Sequence, residues 1–288
     1  MAKRDWSLVF FTILAQWSIG IILCLTLLLV FSPDSSPVYK TGPGLKNPVL
    51  LALVFIGTAT LSSLLHLGKP INAPKALNNL KGSWLSREIL TIGIFSISLG
   101  IVLVLAWKSA YSGNLSLPLA LSAVFGLALL WMMIRIYTMP TIPPWNSWYT
   151  PVSFISTALC LGLLTLLYLQ STGYVIATEQ IIRHFRIFLA AILLLEIVSA
   201  LAHQSRLVKM DTGMNNLVFD TGMFYRMFLV RIAILIIGCL PIAFLLLNAD
   251  WLPAYNHPLS LSLLFILVIS QELIGRLLFY SSYFRLGV

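Results

Sequence analysis

Residues 7–31 read SLVFFTILAQWSIGIILCLTLLLVF, a run without one charged side chain. The hydrocarbon core of a bilayer is about 30 Å thick, and an α-helix crosses it in roughly 20 apolar residues. The run is long enough to cross with some tilt. Lys3 and Arg4 precede it, as basic residues precede a secretory leader. A leader has a shorter apolar region that ends in a small-residue cleavage site, and this run has neither property. The segment is expected to be retained as the first membrane span.

The remainder of the sequence repeats this character. Of its 288 residues, 59% are hydrophobic and 9% charged, with a mean hydropathy of +0.95. A soluble domain of this size needs about a quarter of its residues charged to cover its surface. Runs that meet the spanning criterion fall at 7–31, 47–67, 86–107, 116–137, 150–170, 182–202, 225–247 and 259–283. They are too long for membrane β-strands and lack alternation, so they must satisfy their backbone groups as helices. Breakers fill the gaps, among them Pro33, Pro37, Gly68, Pro70, Pro140, Pro143, Pro144, Pro253 and Pro258. The expected fold is an all-α integral membrane bundle of eight transmembrane helices, a single domain over 1–288. No internal repeat stands out.

Successive spans alternate in direction, which places both termini on one side, here termed face X. The loops 68–85, 138–149 and 203–224 belong to face X, and 32–46, 108–115, 171–181 and 248–258 to the opposite face Y. Lys and Arg number 13 toward face X and five toward face Y. The positive-inside rule puts such a face in the cytoplasm. A soluble partner docked on face X would call for the same basic residues.

The formal charge of +9 is dispersed in ones and twos beside apolar blocks, which excludes a nucleic-acid site. Cys24, Cys160 and Cys239 lie inside apolar runs with no CxxC or Cys/His pairing, so neither a disulfide framework nor a metal centre is expected. Walker, GxGxxG, HExxH and CxxCH patterns are absent from the sequence.

Ionisable residues in or beside a span are costly unless paired or hydrated, which makes each a functional candidate. Most gather toward face X. His66 closes span 2 in Leu65-His66-Leu67-Gly68-Lys69-Pro70, where Gly68 and Pro70 act as a helix stop. An imidazole there either complements the helix dipole or accepts a proton from a quinol, since it titrates near neutral pH. Arg87 and Glu88 open span 3. A first-turn glutamate suits the dipole, but Glu88 also returns to the face that carries His66. Arg135 and Tyr137 close span 4, with Trp131 four residues before Arg135 on one helix face. A cation–π stack or simple snorkelling would each account for Arg135. The stiff loop that follows contains Trp145, suited to an interfacial belt or to a lid over an apolar ring.

Glu196 and His203, seven apart, share one face of span 6. Glu272 and Arg276, four apart in span 8, have the spacing of an intrahelical ion pair. These four residues are candidates for a proton path. Two haem ligands must face each other at similar depth, and only His66 and His203 share a side, both near helix ends. No haem is expected in this protein.

Three stretches carry a resemblance to a known family. The first joins Leu65-His66-Leu67-Gly68-Lys69-Pro70 to Leu85-Ser86-Arg87-Glu88-Ile89. The second is Trp131-Met132-Met133-Ile134-Arg135-Ile136-Tyr137, followed by Pro144-Trp145 and Tyr149-Thr150-Pro151. The third is Glu272-Leu273-Ile274-Gly275-Arg276 with Phe279-Tyr280. Together they resemble the membrane anchor subunit of the anaerobic dimethyl sulfoxide reductase family, the DmsC type. The family pattern has Arg where Pro74 or Lys75 stands here, and Asn in place of Arg87.

The resemblance implies a haem-free, multi-pass anchor in the bacterial cytoplasmic (inner) membrane that binds and oxidises menaquinol in anaerobic respiration. It implies electron transfer to an iron–sulfur subunit and on to a molybdopterin catalytic subunit, with His66 and Glu88 as the quinol-site residues. On that reading Lys69, Arg87, Arg135, Tyr137 and Trp145 complete the quinol site. The terminal reduction then belongs to a partner, and this protein is the quinol-oxidising subunit of an oxidoreductase complex. The family topology implies termini outside the cytoplasm, against the charge count, so the sequence leaves orientation open. A secondary transporter, which would need midplane charges, broken helices and a repeat, is one alternative. A haem b anchor is the other.

Overall fold

The computed structural model describes residues 3–31, 44–65, 77–108, 115–175, 177–213, 219, 222–247 and 257–283. Among them are eight helices long and apolar enough to cross a membrane. These are α1 (Lys3–Phe31), α2 (Lys46–Leu65), α3 (Trp84–Trp107), α4 (Ser116–Tyr137), α5 (Tyr149–Ser171), α6 (Glu179–Gly213), α7 (Gly222–Leu247) and α8 (His257–Ser281). No strand occurs among the described residues. The helices agree with the expected spans to about one turn at every end but one.

The exception is the end of α6. Its 35 residues run about 52 Å at 1.5 Å each, well beyond the bilayer core. The stretch after Ala202 is polar, so a lipid criterion ends the span there. It nevertheless holds Gln, Arg, Leu, Lys and Met, good helix formers with no breaker before Gly213. Helix therefore continues into the expected 203–224 loop and carries His203, Gln204 and Arg206 with it.

Helix α7 is interrupted by a π-helical turn at Ile234–Cys239, where the Leu240 N–H reaches back to Leu235 O. Pro241 follows directly. Its ring has no N–H and crowds the carbonyl four residues earlier, and the wider turn accommodates both defects.

The helices pack as two rings of four. In the first, α1 packs on α2, α2 on α3, α3 on α4, and α4 returns to α1. In the second, α5 packs on α6, α6 on α7, α7 on α8, and α8 returns to α5. The rings meet mainly through α1 and α5, and in each of these 67% of the most apolar stretch is buried, against 28% in α2 and α7. Gly20 sits at that crossing over Ala158 and Gly162, so close that a Cβ on either glycine would overlap backbone of the other helix. Small residues four apart allow such an approach in a membrane, where packing rather than water exclusion holds helices together.

The outer helices present exposed apolar stripes at helical spacing, such as Ile97, Ile101 and Val104 on α3 and Leu117, Leu121, Val124 and Trp131 on α4. These are lipid-facing. The start of α1, the end of α2, the end of α4 and the end of α8 come together at one end of the bundle. Ser62 Oγ donates to Ser7 O at 2.9 Å, and the Tyr280 hydroxyl bonds Tyr137 and lies 3.5 Å from Thr12 Oγ1. That end is face X.

Candidate functional site

The first part of the site is set by the start of α3. Ser83 caps the helix, its hydroxyl accepting from the Ser86 N–H at 3.3 Å. Arg87 then turns back to the preceding loop, Nε donating to Leu80 O and Nη2 to Lys81 O, both at 2.8 Å. These bonds fix the register that sends Glu88 inward. Its side chain is only 5% exposed, and Oε1 has no hydrogen-bond partner. A buried carboxylate oxygen with nothing to accept from is costly and uncommon.

Glu88 lies within electrostatic range of Tyr137 and Tyr280. The Tyr280 hydroxyl donates to that of Tyr137 at 2.9 Å. Around them stands an aromatic shell. Trp145 stacks on Phe279 with centroids 5.4 Å apart and planes 13° apart, and its indole N–H donates to Phe279 O at 2.7 Å. Tyr137 meets Trp145 edge-on at 5.5 Å and Phe154 at 5.5 Å. The loop bearing Trp145 is held by successive turns, and Arg206 from the extended end of α6 reaches Pro143 O and Asn146 O at 3.4 Å.

The second part lies deeper, inside the second ring. Arg276 is 1% exposed, its guanidinium 4.0 Å over the Phe154 ring, with Nη2 donating to Gln16 Oε1 at 2.6 Å and Thr157 Oγ1 at 3.0 Å. Thr157 Oγ1 in turn donates to Glu272 Oε2 at 2.8 Å. The Gln271 amide donates to Glu272 Oε1 at 3.1 Å and to Glu196 Oε2 at 2.9 Å, while its oxygen accepts from Arg231 Nε at 3.1 Å. Arg231 Nη1 donates to the Tyr149 hydroxyl at 2.8 Å, and the Tyr149 ring stacks on His203 at 4.1 Å, 9° from parallel. Two cations and two carboxylates are thus buried together, with neutral polar groups between them.

The structure brings some of the expected residues together and separates others. Glu88, Tyr137, Trp145 and Arg276 converge near face X. Glu196, His203, Glu272 and Arg276 belong to one network. Glu272 and Arg276 do not form the direct ion pair their spacing suggested, because the Thr157 hydroxyl stands between them. Arg135 is exposed and lies over Trp84 at 5.0 Å and Trp131 at 5.9 Å, while Arg87 lies over the same Trp84 ring at 4.3 Å. Among the described residues neither guanidinium forms an ion pair with Glu88. His66 and Lys69 lie outside the described residues.

Sequence reasoning missed Arg231, Gln271, Gln16, Tyr149 and Thr157. The signal for Arg231 was available, a cation flanked by Val230 and Ile232 within a span. A count of basic residues by nearest helix end assigns Arg231 and Arg276 to face X, and both are buried within the bundle. Among the described residues no group of His, Cys, Asp and Glu is placed to hold a metal ion.

The protein has clear relatives. A family model described as DMSO reductase anchor subunit (DmsC) matches residues 1–282. The C subunit of the anaerobic dimethyl sulfoxide reductase of Escherichia coli K12 is 30% identical over 99% of this sequence and 97% of its own. Its counterpart in Haemophilus influenzae is 29% identical over 98% and 95%. The YnfH subunit of an anaerobic dimethyl sulfoxide reductase of Escherichia coli K12 is 29% identical over 55% of each protein.

Proposed function

We propose that this protein, which belongs to the DMSO reductase anchor subunit (DmsC) family, binds menaquinol at face X and oxidises it there. The family and the eight apolar spans make it a multi-pass protein of the bacterial inner membrane. Its proposed partners are an iron–sulfur subunit, which takes the electrons, and a molybdopterin catalytic subunit, which uses them on a terminal acceptor. The eight helices act as one anchoring and quinol-oxidising unit.

The observation that carries this reading is the buried Glu88 carboxylate, with an unpartnered oxygen, within electrostatic range of the Tyr137–Tyr280 hydroxyl pair around which the aromatic shell stands. Oxidation of a hydroquinone to the quinone releases two electrons and two protons. The electrons leave to the iron–sulfur partner. The protons need bases in hydrogen-bond reach of the two hydroxyls. Glu88 is proposed to accept from one hydroxyl, and His66, the residue that follows Leu65 in the sequence, from the other. Tyr137 and Trp145 flank the ring, and Arg87 holds the turn that aims Glu88. Lys69 and Arg135 are proposed as rim cations that favour approach of the electron-rich head group.

The test compares two donors to the assembled complex. With His66→Arg or Glu88→Lys, quinol-driven reduction is expected to disappear, while reduction from a dye that feeds the soluble subunits directly persists. Wild-type quinol-driven rates in both variants would overturn the assignment.

A further inference from the structure

The deep network offers more hydrogen-bonding capacity than its protein neighbours use. Arg276 Nε and Nη1, Glu196 Oε1, Gln16 Nε2 and His203 Nδ1 are all buried and have no protein partner. His203, Tyr149, Gln204, Phe228, Arg231 and Gly275 line a cavity of about 20 Å³, enough for one water and little else. Of the unpaired groups His203 lines this space, and a buried polar group beside a space of this size takes water; the other unpaired atoms are buried polar groups that call for the same partner.

The network is one-sided. Toward face Y the next turns of the second ring are Leu161, Leu164, Leu193, Leu235, Leu264 and Val268, each fully buried in a single apolar cluster. Buried polar groups beyond that layer are already paired. Trp17 Nε1 donates to Thr165 Oγ1, which donates to Leu161 O, and Arg186 pairs with Glu179 at 3.0 Å. Among the described residues, every buried side-chain nitrogen or oxygen without a partner lies on the face-X side of this layer. His203, by contrast, stands ten residues before the end of the extended α6, close to Gln204 and Arg206 at face X.

Resting on the quinol reading above, we infer that the network is a hydrated proton route that starts at the quinol site and opens at face X alone. A proton leaves a quinol hydroxyl for Glu88. It passes by water to the Tyr137–Tyr280 hydroxyls, then past the Arg276 donors and the Thr157 hydroxyl to Glu272 and Glu196. It leaves by the Tyr149 hydroxyl and His203 to water at face X. Gln271 and Arg231 are positioning residues that hold the two carboxylates and the Tyr149 hydroxyl in one line. Electrons in this reading also leave at face X, so turnover moves no net charge across the membrane.

The test uses the assembled complex in sealed proteoliposomes with a menaquinol analogue as donor. Glu196→Gln keeps the shape and removes a proton carrier, and His203→Ala opens the outlet. Each is expected to slow quinol-driven turnover about tenfold or more, with a larger solvent isotope effect, while dye-driven turnover and binding of a quinol-analogue inhibitor stay at wild-type levels. Added imidazole should restore His203→Ala. A potential-sensitive dye should register no charge build-up in the wild type. Unchanged turnover in Glu196→Gln and His203→Ala overturns the route, as does loss of inhibitor binding in place of turnover. Charge build-up overturns its one-sidedness. A wild-type complex that neither binds the inhibitor nor accepts electrons from quinol overturns the quinol reading itself.

Discussion

Gly275 of α8 lies directly beneath the guanidinium of Arg231 on α7, where a Cβ would stand 2.6 Å from Cζ. The missing side chain is what lets Arg231 lie flat enough to reach both Gln271 and Tyr149. A glycine in the middle of a helix is a local cost, and here it makes room for a buried cation. Gly275→Ala is therefore expected to push Arg231 off its partners. Overpacking of this kind costs about 1–3 kcal/mol, which a melting curve of the purified complex in detergent will register. A melting curve unchanged from wild type would mean that the guanidinium has freedom to move aside.

The crossing of α1 and α5 yields a sharper contrast. Gly20→Val puts a branched side chain into the backbone of α5, whereas a Cβ at Gly93 on α3 meets nothing within 4 Å, so Gly93→Val points into open space. The first is expected to abolish membrane accumulation of the protein, and the second to leave it at wild-type levels. Immunoblotting of membranes measures both.

Trp145 joins the loop before α5 to α8 through its indole N–H on Phe279 O. Trp145→Phe keeps the stacking and removes that bond, worth about 1 kcal/mol, so inhibitor affinity should fall several-fold. Trp145→Ala also removes the ring and should cost more. Equal affinities in the two variants would place the ring itself outside the quinol site.

Arg87 and Arg135 share the Trp84 ring but differ in what else they hold. Arg87 ties Leu80 and Lys81 to α3, and Arg135 is exposed. Arg87→Ala should lower quinol-driven turnover several-fold by loosening the turn that aims Glu88. Arg87→Lys should not restore it, since an ammonium cannot serve both carbonyls with the same planar fork. Arg135→Ala, at the exposed rim, should raise the quinol concentration needed for half-maximal turnover and change the maximal rate by less than about twofold.

The eight spans were legible because each is a long, predominantly apolar run, and lipid leaves such runs no structure but helix. The end of α6 was not, because 203–210 is polar and a criterion built on lipid cannot see a helix that continues into water. The two four-helix rings were equally hidden, since their apolar surfaces carry no repeat in sequence. Glu88 and Tyr137 stood out as polar residues at span ends, and they do converge. The charge count mis-sorts Arg231 and Arg276 as surface cations, because proximity to a helix end says nothing about which side of the helix is buried. Gln271 and Thr157 carry no charge and fall below notice, although they separate Arg231 and Arg276 from the two carboxylates. The features a transporter would use, mid-depth charges and an interrupted helix, are present in α6, α7 and α8. The apolar layer toward face Y and the family membership decide against that reading.

The most direct measurement is a fluorescence titration of a quinol-analogue inhibitor against membranes that carry the assembled complex, wild type beside Glu88→Gln. Stoichiometric quenching of the inhibitor by the wild type, weakened at least tenfold in the variant, is the expected result. Identical titrations in the two, with assembly verified in both, would contradict a quinol site at Glu88.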